Sequence, residues 1–514
     1  MIYFADAISF HTRNFPALYR VLRSEGVPSR YFTWADDGMK LAFGDYAGFV
    51  SELGEHIDAL ARVPTVDLRT HRHRNVPLFD VCRFELLHHV MTRPRWYDEL
   101  GPNTEEAVFD RLAATDEDAL RLNLAAAAFW VDWWRTELPR GGDGTRTVGI
   151  FGNSLSYTRA LAAQATELDV LPLVFEHFFT GHDHYMEPRL SAIQGFSELR
   201  LPPPASCEPD PELVYRRLAD MRNKNVQQAS FRRSSAMRRE PRSVLILGQV
   251  VNDFAAVAPN NPRLGTVAAY KAIVGGLLDE TDVAIVFKTH PYEVLKTGNR
   301  GPVTHDELRA FVARRSPQQR ARVHIVDDYP LESLFRDCDL VITLHSQGGL
   351  EALYTGLPVA TLGNPFYGRK GFTRDFEEAA SMVRAIAEDE TMFRLGPDQE
   401  RRYLTYMTHC FHVLVNRHER RERMLGRLAS FGVFPTTSPP VRAPDRSNSS
   451  NHGSPLVRKA RKLVSDPKLF VDDALTHRIE SGGATGQLAR KARKLVRSPG
   501  RFFLDALRNR TDKG

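Results

Sequence analysis

The chain of 514 residues is 42% hydrophobic and 26% charged, a soluble globular composition that excludes a collagen-like repeat, a wholly disordered chain and a polytopic membrane protein. Its net charge of +6 is unevenly held: residues 454–514 carry 15 Lys/Arg against 6 Asp/Glu, so this tail contributes +9 and the remaining 453 residues sum to −3. The basicity belongs to the tail, which argues against a body that binds nucleic acid.

The length suggests several domains. Met1–Asp6 lacks the basic and apolar regions of a secretory signal, and no run approaches the ~20 apolar residues of a spanning helix. Cys82, Cys207, Cys338 and Cys410 are scattered with no CxxC pair. A reducing cytoplasm fits them better than a disulfide framework or a zinc knuckle.

In chain order, residues 2–8 read as a strand, Phe15–Arg23 as a helix and Ser29–Thr33 as a second strand. A long apolar helix is expected from about Glu105 to Glu137. Thr147–Gly152 is a short buried strand, after which Asn153 and Ser154 are placed to cap a helix running to about Glu167. Leu171–Glu176 is the next strand. Pro202-Pro203-Pro204 and the polar stretch Asn223–Arg242 have no sustained apolar period and read as a connection. A second block of alternating elements follows, with strands at 243–248, 283–287, 323–326, 339–344 and 358–362. From Asp375 to Phe431 the pattern is helical, with Tyr403, Met407, Phe411, Leu414 and Val415 on one stripe. Pro435–Pro455 reads as a disordered linker. Two α/β domains with parallel sheets, a hinge and terminal helices form the outline of a GT-B type fold. In such sheets a ligand lies at the carboxyl ends of the strands, which puts the expected site between the domains.

Three segments at strand ends carry chemistry. Gly248–Asp253 offers Gln249 and Asp253 for polar contacts, although a plain βα loop reads almost as well. Lys288-Thr289-His290-Pro291 ends a strand at a proline, and Lys288 and His290 are placed to neutralise a departing phosphate. Leu344–Leu353 puts Ser346, Gly348 and Gly349 at a helix start suited to phosphate, with Glu351 one turn in for ribose hydroxyls; a ligand-free tight turn is the alternative. His177, His182, His184 and Glu187 form an HxH-plus-carboxylate pattern, but the segment reads as an irregular loop and no metal ligand is assigned. His11 and Arg13 follow the first strand as either cleft residues or a solvated loop.

These segments, in this order, resemble the capsular polysaccharide synthesis family that includes bacterial Kdo transferases. The resemblance rests on Gln249–Asp253, Lys288–Pro291, Ser346–Leu353, Gly356–Val359 and Gly363-Asn364-Pro365-Phe366-Tyr367 through Gly371-Phe372-Thr373. Val174-Phe175-Glu176 resembles the family's first-domain Phe-Glu segment. The family's following Gly-Tyr-x-Arg-Pro is replaced here by Phe178-Phe179-Thr180-Gly181-His182, and Phe372 stands for a leucine.

The resemblance implies a GT-B glycosyltransferase of capsule or surface-glycan assembly that takes Kdo from CMP-Kdo, with no cofactor besides this donor. Glu176 would be the acidic catalytic residue and His290 a second catalytic group. Gln249, Asp253, Lys288, His290, Ser346, Gly348, Gly349 and Glu351 would hold the donor nucleotide. On this reading residues 1–204 are a Rossmann-like acceptor domain, 205–242 a connection and 243–434 the nucleotide-sugar domain with terminal helices. Residues 435–455 are then the linker and 456–514 the tail. A nucleotide-sugar 2-epimerase-like enzyme and an inactive scaffold or export protein are the alternatives.

The tail is an internal repeat. Val457–Val464 recurs as Ala489–Val496 at an offset of 32 residues. Each unit sets Ala460, Leu463 and Val464, or their counterparts, on one helical face. The cations Arg458, Lys459, Arg461 and Lys462, or Arg490, Lys491, Arg493 and Lys494, take the other. With Phe470, Phe502 and Phe503 beside them, such helices suit an anionic bilayer surface. The expectation is a cytoplasmic protein, peripheral at the inner face of the plasma membrane, with a lipid-linked or glycan acceptor. Other capsule-assembly proteins are further candidate partners, and nucleic acid is not one.

Overall fold

The structure, a computed structural model, describes residues 1–433 apart from 8, 33–36, 98–99, 139–146, 189–196, 220–241, 298–301 and 328. The chain divides into one unit of residues 1–436 and another of residues 437–514. The basic repeats, from Arg458 to Phe503, the 435–455 linker and most of the polar stretch 223–242 lie outside the described residues.

Two parallel α/β sheets organise the first unit as a GT-B type fold. The first sheet takes β1 (Ile2–Phe4), β2 (Ser29–Tyr31), β3 (Thr147–Phe151), β4 (Leu171–His177) and β5 (Asp183–Glu187), with helices α1 (Pro16–Ser24), α2 (Leu78–Val90), α3 (Glu117–Glu137) and α4 (Ser156–Glu167) around it. The second half begins with α5 (Pro211–Ala219), inside the segment expected to be a connection. It continues with β6 (Ser243–Leu247), α6 (Thr266–Glu280), β7 (Ala284–Lys288), β8 (Val323–Val326), β9 (Leu340–Thr343), α7 (Gly348–Tyr354), β10 (Val359–Leu362), β11 (Arg374–Phe376), α8 (Ala379–Glu388) and α9 (Pro397–Val413). The described chain closes with β12 (Val415–Asn416) and α10 (Arg421–Ser430).

The second sheet runs β8-β7-β6-β9-β10-β11, all parallel. This is the doubly wound order, and its direction of winding reverses between β6 and β9, where a crevice opens above the strands' carboxyl ends. Every residue of β6 is buried, as a strand covered on both faces requires. Alternation sends Leu245 and Leu247 to one core, with Leu350, Met407 and Phe411. Val244 and Ile246 go to the other, with Tyr270, Ile273 and Val383.

The first sheet runs β12-β5-β4-β3-β1-β2, parallel from β4 to β2 and antiparallel at β5 and β12. Residues 415–430, grouped with the second domain on sequence grounds, are therefore built onto the first sheet. Val415, Met424 and Leu428 pack with Ile2, Phe4 and Leu22, and Arg421 Nε donates to Glu25 at 3.0 Å. Within the apolar stripe expected on the last helices, Tyr403, Met407, Phe411 and Leu414 stay in the second core and Val415 leaves it.

Two local expectations are corrected. The single helix expected over 105–137 is two, Glu105–Thr115 and α3, because Asp116 leaves helical geometry (φ −143°, ψ 34°). Its buried carboxylate accepts from Trp96 Nε1 at 3.0 Å and pairs with Arg93 and Arg95. Asn153 and Ser154 do not cap α4: Asn153 sits at φ 50°, and the Ser154 hydroxyl turns back to the Gly152 carbonyl. The cap comes from outside, where the buried Glu85 carboxylate accepts the Ser156 N–H at 2.6 Å.

One apolar core spans both halves. Val174, Phe178, Tyr185 and Leu199 from the first share it with Leu245, Leu350, Phe366 and Phe411 from the second. Phe178 is fully buried there, with its ring centroid 6.2 Å from that of Phe366 and 6.4 Å from that of Phe411. Truncation to Phe178→Ala is expected to cost about 3–5 kcal/mol, the usual loss for a buried phenylalanine. Urea unfolding of the full chain measures it; an unchanged midpoint would show that this ring does not hold the halves together.

Candidate functional site

The site is built upward from the loops after β6, β7 and β9. Gly248 has to be glycine, since a Cβ there would lie 2.6 Å from the Lys288 carbonyl oxygen. The next residue, Gln249, is buried, and its Oε1 accepts the His345 N–H at 3.1 Å, which ties the β6 loop to the β9 loop. Asp253 starts a short helix, Phe254–Val257, by accepting the Ala255 N–H at 2.9 Å. Lys296 Nζ stands 3.6 Å from its Oδ2. Burial would raise this carboxyl, but Lys296, the Ala255 N–H, His290 and His88 together hold it below the ordinary value.

His290 ends the β7 loop as expected. Burial pushes its imidazole down to about 4; Asp253 opposes the shift, and Lys296 and Lys288 add to it. The ring is neutral at pH 7. Its Nδ1 accepts the Tyr292 N–H at 3.2 Å, which leaves Nε2 as the donor. Lys288 was expected to meet a phosphate, but its ammonium donates to the carbonyl oxygens of Thr289, at 2.8 Å, and Asp327. Lys296, which sequence reasoning passed over, is the cation beside Asp253.

At the β9 loop, Ser346 N–H donates to Thr343 Oγ1 at 3.0 Å, while Ser346 Oγ accepts the Gly348 N–H at 3.2 Å. Gly349 N–H reaches the Ser346 carbonyl at 3.2 Å. The amides expected to stand free at this helix start are thus bonded within the turn. Close packing accounts for the glycine pair: a Cβ on Gly349 would sit 2.3 Å from the Tyr367 hydroxyl, and one on Gly348 3.0 Å from Leu247. Glu351 lies in the first turn of α7, half-buried.

The facing wall comes from the first sheet. Glu176 is half-buried near the carboxyl end of β4, opposite Tyr185 of β5. The turn beyond it is closed by Phe178 N–H to the Asp183 carbonyl at 3.0 Å and by Thr180 Oγ1 to the Asp183 carboxylate at 2.7 Å. Asp183 is itself held by Asn416 Nδ2 at 2.9 Å and Arg217 at 3.2 Å. At the tip, the Phe179 N–H donates to Gln347 Oε1 at 2.9 Å. That bond joins the Glu176 turn to the Ser346 loop, so the two segments expected to face one another are neighbours.

The histidines of this turn are packed among aromatic rings. His177 stacks on Phe15 with centroids 5.5 Å apart, and His184 is buried edge-on against Phe15 at 4.9 Å. Glu187 is fully buried and accepts the Glu198 N–H at 3.0 Å. His11 Nδ1 accepts the Arg13 N–H at 3.2 Å in the turn before α1. A second junction between the halves pairs His88 of α2 with Asn252: Nδ1 meets the Asn252 carbonyl at 2.6 Å, and the His88 ring stacks on Phe254. Gln347, Lys296, His345, His88 and Asn252 were all missed. Gln347 and His345 had a sequence signal in their place inside Leu344–Leu353, and Asn252 in its place inside Gly248–Asp253.

Residues 208–410 match the family model described as capsule polysaccharide biosynthesis protein. This segment contains every second-domain motif of the resemblance. Among solved structures, the chain is similar to the Thermosulfurimonas dismutans KpsC beta Kdo 2,4 transferase, with 20% identity over 53% of this chain and 81% of that one, at a TM-score of 0.35. The beta Kdo 2,7 transferase of the same KpsC aligns at 16% identity over 52% and 77%, with a TM-score of 0.31. The Streptomyces nogalater glycosyltransferase SnogD aligns at 12% identity over 84% and 98%, with a TM-score of 0.29. No curated protein sequence matches the chain.

Four imidazoles, three buried and that of His290 half-buried, set a pH dependence. Burial lowers His88, His290 and His345 to about 4 and His184 to about 3, against the ordinary 6.5. Between those values the unfolded chain binds protons that the native state refuses, so stability rises with pH. The contribution is complete above pH 6.5 and is lost as pH falls to 4. Melting temperature at constant ionic strength is expected to drop through this window, and less steeply in His184→Phe, whose ring keeps the aromatic contacts but cannot titrate. Equal slopes in the two proteins would show that His184 is not among the groups responsible.

Proposed function

We propose that the protein is a glycosyltransferase of capsule or related surface-glycan synthesis, transferring Kdo from CMP-Kdo to a lipid-linked or glycan acceptor. One observation carries the reading. The ordered motifs from Gln249 to Thr373 fall within the family-matched segment 208–410, and the first three end strands at the crevice that meets the Glu176 turn.

In the proposed reaction the bond between the sugar's anomeric carbon and the CMP phosphate oxygen breaks, and a bond to the acceptor oxygen forms. The acceptor's proton passes to the Glu176 carboxylate, and CMP leaves with both electrons of the broken bond. His290, neutral, donates from Nε2 to the phosphate and so stabilises its charge as the nucleotide departs. Ser346 supplies a hydroxyl, Gln249 and Asp253 hold the loops in place, and Glu351 reaches for the ribose. Lys288, by turning from the Thr289 and Asp327 carbonyls, and Gly348 and Gly349, by keeping the turn tight against Leu247 and Tyr367, complete the proposed nucleotide contacts.

Assays with CMP-Kdo and with UDP-GlcNAc test the reading. His290→Ala and Ser346→Ala are expected to lower Kdo transfer at least ~100-fold, the loss typical of a charge-stabilising donor. Glu176→Gln should bind CMP normally and transfer nothing. Full transfer by any of these variants would remove that residue from the site. Epimerisation of UDP-GlcNAc with no turnover of CMP-Kdo would overturn the reading in favour of a 2-epimerase, and no turnover of either in favour of a scaffold.

No helix among the described residues is long and apolar enough to cross a membrane. Residues 454–514 carry +9 against −3 for the rest, which supports attachment to anionic lipid through the tail. Full-length protein should cosediment with vesicles containing anionic lipid and release in part as salt shortens the Debye length to ~3 Å at 1 M. Protein lacking residues 454–514 should not cosediment, yet should keep its activity on a soluble acceptor. Equal binding by the two forms would assign the repeats to another task, such as docking a partner.

A further inference from the structure

Far from the crevice motifs in sequence, three side chains from three separate elements converge on one point. His56 lies on the helix Val50–Ala61, His73 on the short hairpin Arg72–His73/Val76–Pro77, and Asp132 on α3. His73 Nε2 stands 2.9 Å and His56 Nε2 3.9 Å from the same oxygen, Asp132 Oδ2. All three potential ligand atoms lie within 4.8 Å of one another, and no other such group of three occurs among the described residues.

We propose that His56, His73 and Asp132 form a binding site for a divalent zinc-like cation. The donor set, two imidazole nitrogens and one carboxylate oxygen, is one that zinc accepts, with bonds of ~2.0–2.2 Å. A tetrahedral ion with such bonds holds neighbouring ligand atoms roughly 3.3 Å apart. The observed 2.9 and 3.9 Å separations from the Asp132 oxygen bracket that spacing, and the two imidazole nitrogens lie within 4.8 Å of each other.

An ordinary ion pair accounts for less. The two imidazoles meet nearly perpendicular to each other, with centroids 5.8 Å apart. His73 Nε2 is buried and faces the Asp132 carboxylate. Arg74 does not occupy the shared oxygen. Its Nε donates to the other one, Oδ1, at 2.6 Å, the outer-shell contact that orients a ligating carboxylate. Arg74 and Asn75 both have positive φ, 48° and 63°, so a tight turn fixes His73 against α3.

Asp132 also lines an open depression of about 430 Å³, together with Arg74, Arg135, Thr136 and Leu168, so the carboxylate is reached from solvent. No residue proposed for sugar transfer belongs to this group. The ion would act as a clasp, fastening the hairpin and the 50–61 helix to α3.

The test uses the full chain, expressed without a polyhistidine tag and stripped with EDTA. Zn²⁺ is titrated in competition with a chromophoric chelator. Wild type is expected to bind one equivalent tightly, and the double variant H56Q/H73Q to lose at least ~100-fold in affinity for it. Because that variant could fail to fold, diethylpyrocarbonate modification of wild type is mapped by mass spectrometry with and without Zn²⁺. Selective protection of His56 and His73 supports the site. Equal affinity in wild type and variant, or modification of both histidines unchanged by Zn²⁺, overturns it.

Discussion

The Phe179 amide held by the Gln347 side chain, across 168 residues of sequence, is the contact on which the geometry of the crevice depends. It acts at the tip of a turn whose base is fixed on all sides. Thr180, Asn416 and Arg217 converge on the buried Asp183, and Phe178 enters the core shared by both sheets. A hydrogen bond alone contributes only ~1 kcal/mol net, so the apolar core supplies most of the hold and the bond supplies the register. Glu176, three residues before the tip, is thereby kept beside the Ser346 loop.

The return of the chain to the first sheet reinforces this arrangement. β12 adds to β5 directly behind the turn, through Val415 paired with His184 and Asn416 with Asp183. α10 then packs beside α1, so the last described residues brace the first. Hinge motion between the sheets would have to carry these crossings with it. The strand is short, yet its Asn416 side chain and backbone both serve the turn that bears Glu176.

Electrostatically, the crevice is organised by Asp253. Its carboxylate is held ionised by Lys296, a backbone N–H and nearby imidazoles, and it in turn favours protonation of His88, His290 and His345 without overcoming their burial. The fixed charge of Lys288, by contrast, is turned toward backbone carbonyls.

The sequence by itself determined β1 to β4 and β6 to β10, their order of appearance and the motifs of the resemblance, because these are local: apolar runs of four or five residues between turns, and loops whose glycines must lie close to a neighbouring strand. β5 stands where an irregular loop was expected, and β11 and β12 at the start of and within a stretch read as helical. Ser346, His290 and Gln249 could be named for the same reason. The tertiary structure alone decided what those residues touch. Asn153 yields its capping role to Glu85, which lies 71 positions before the Ser156 amide it accepts, and the Lys288 ammonium turns to the carbonyl oxygens of Thr289 and Asp327. Val415–Ser430 crosses to the first sheet since Met424 and Leu428 find their apolar partners there. His56, His73 and Asp132 carry no motif at all, their spacing along the chain being set by where a helix, a hairpin and α3 happen to meet. Periodicity reports which face of an element is buried, but not against which distant element, and long-range pairing is what fixes both the crevice and the histidine cluster.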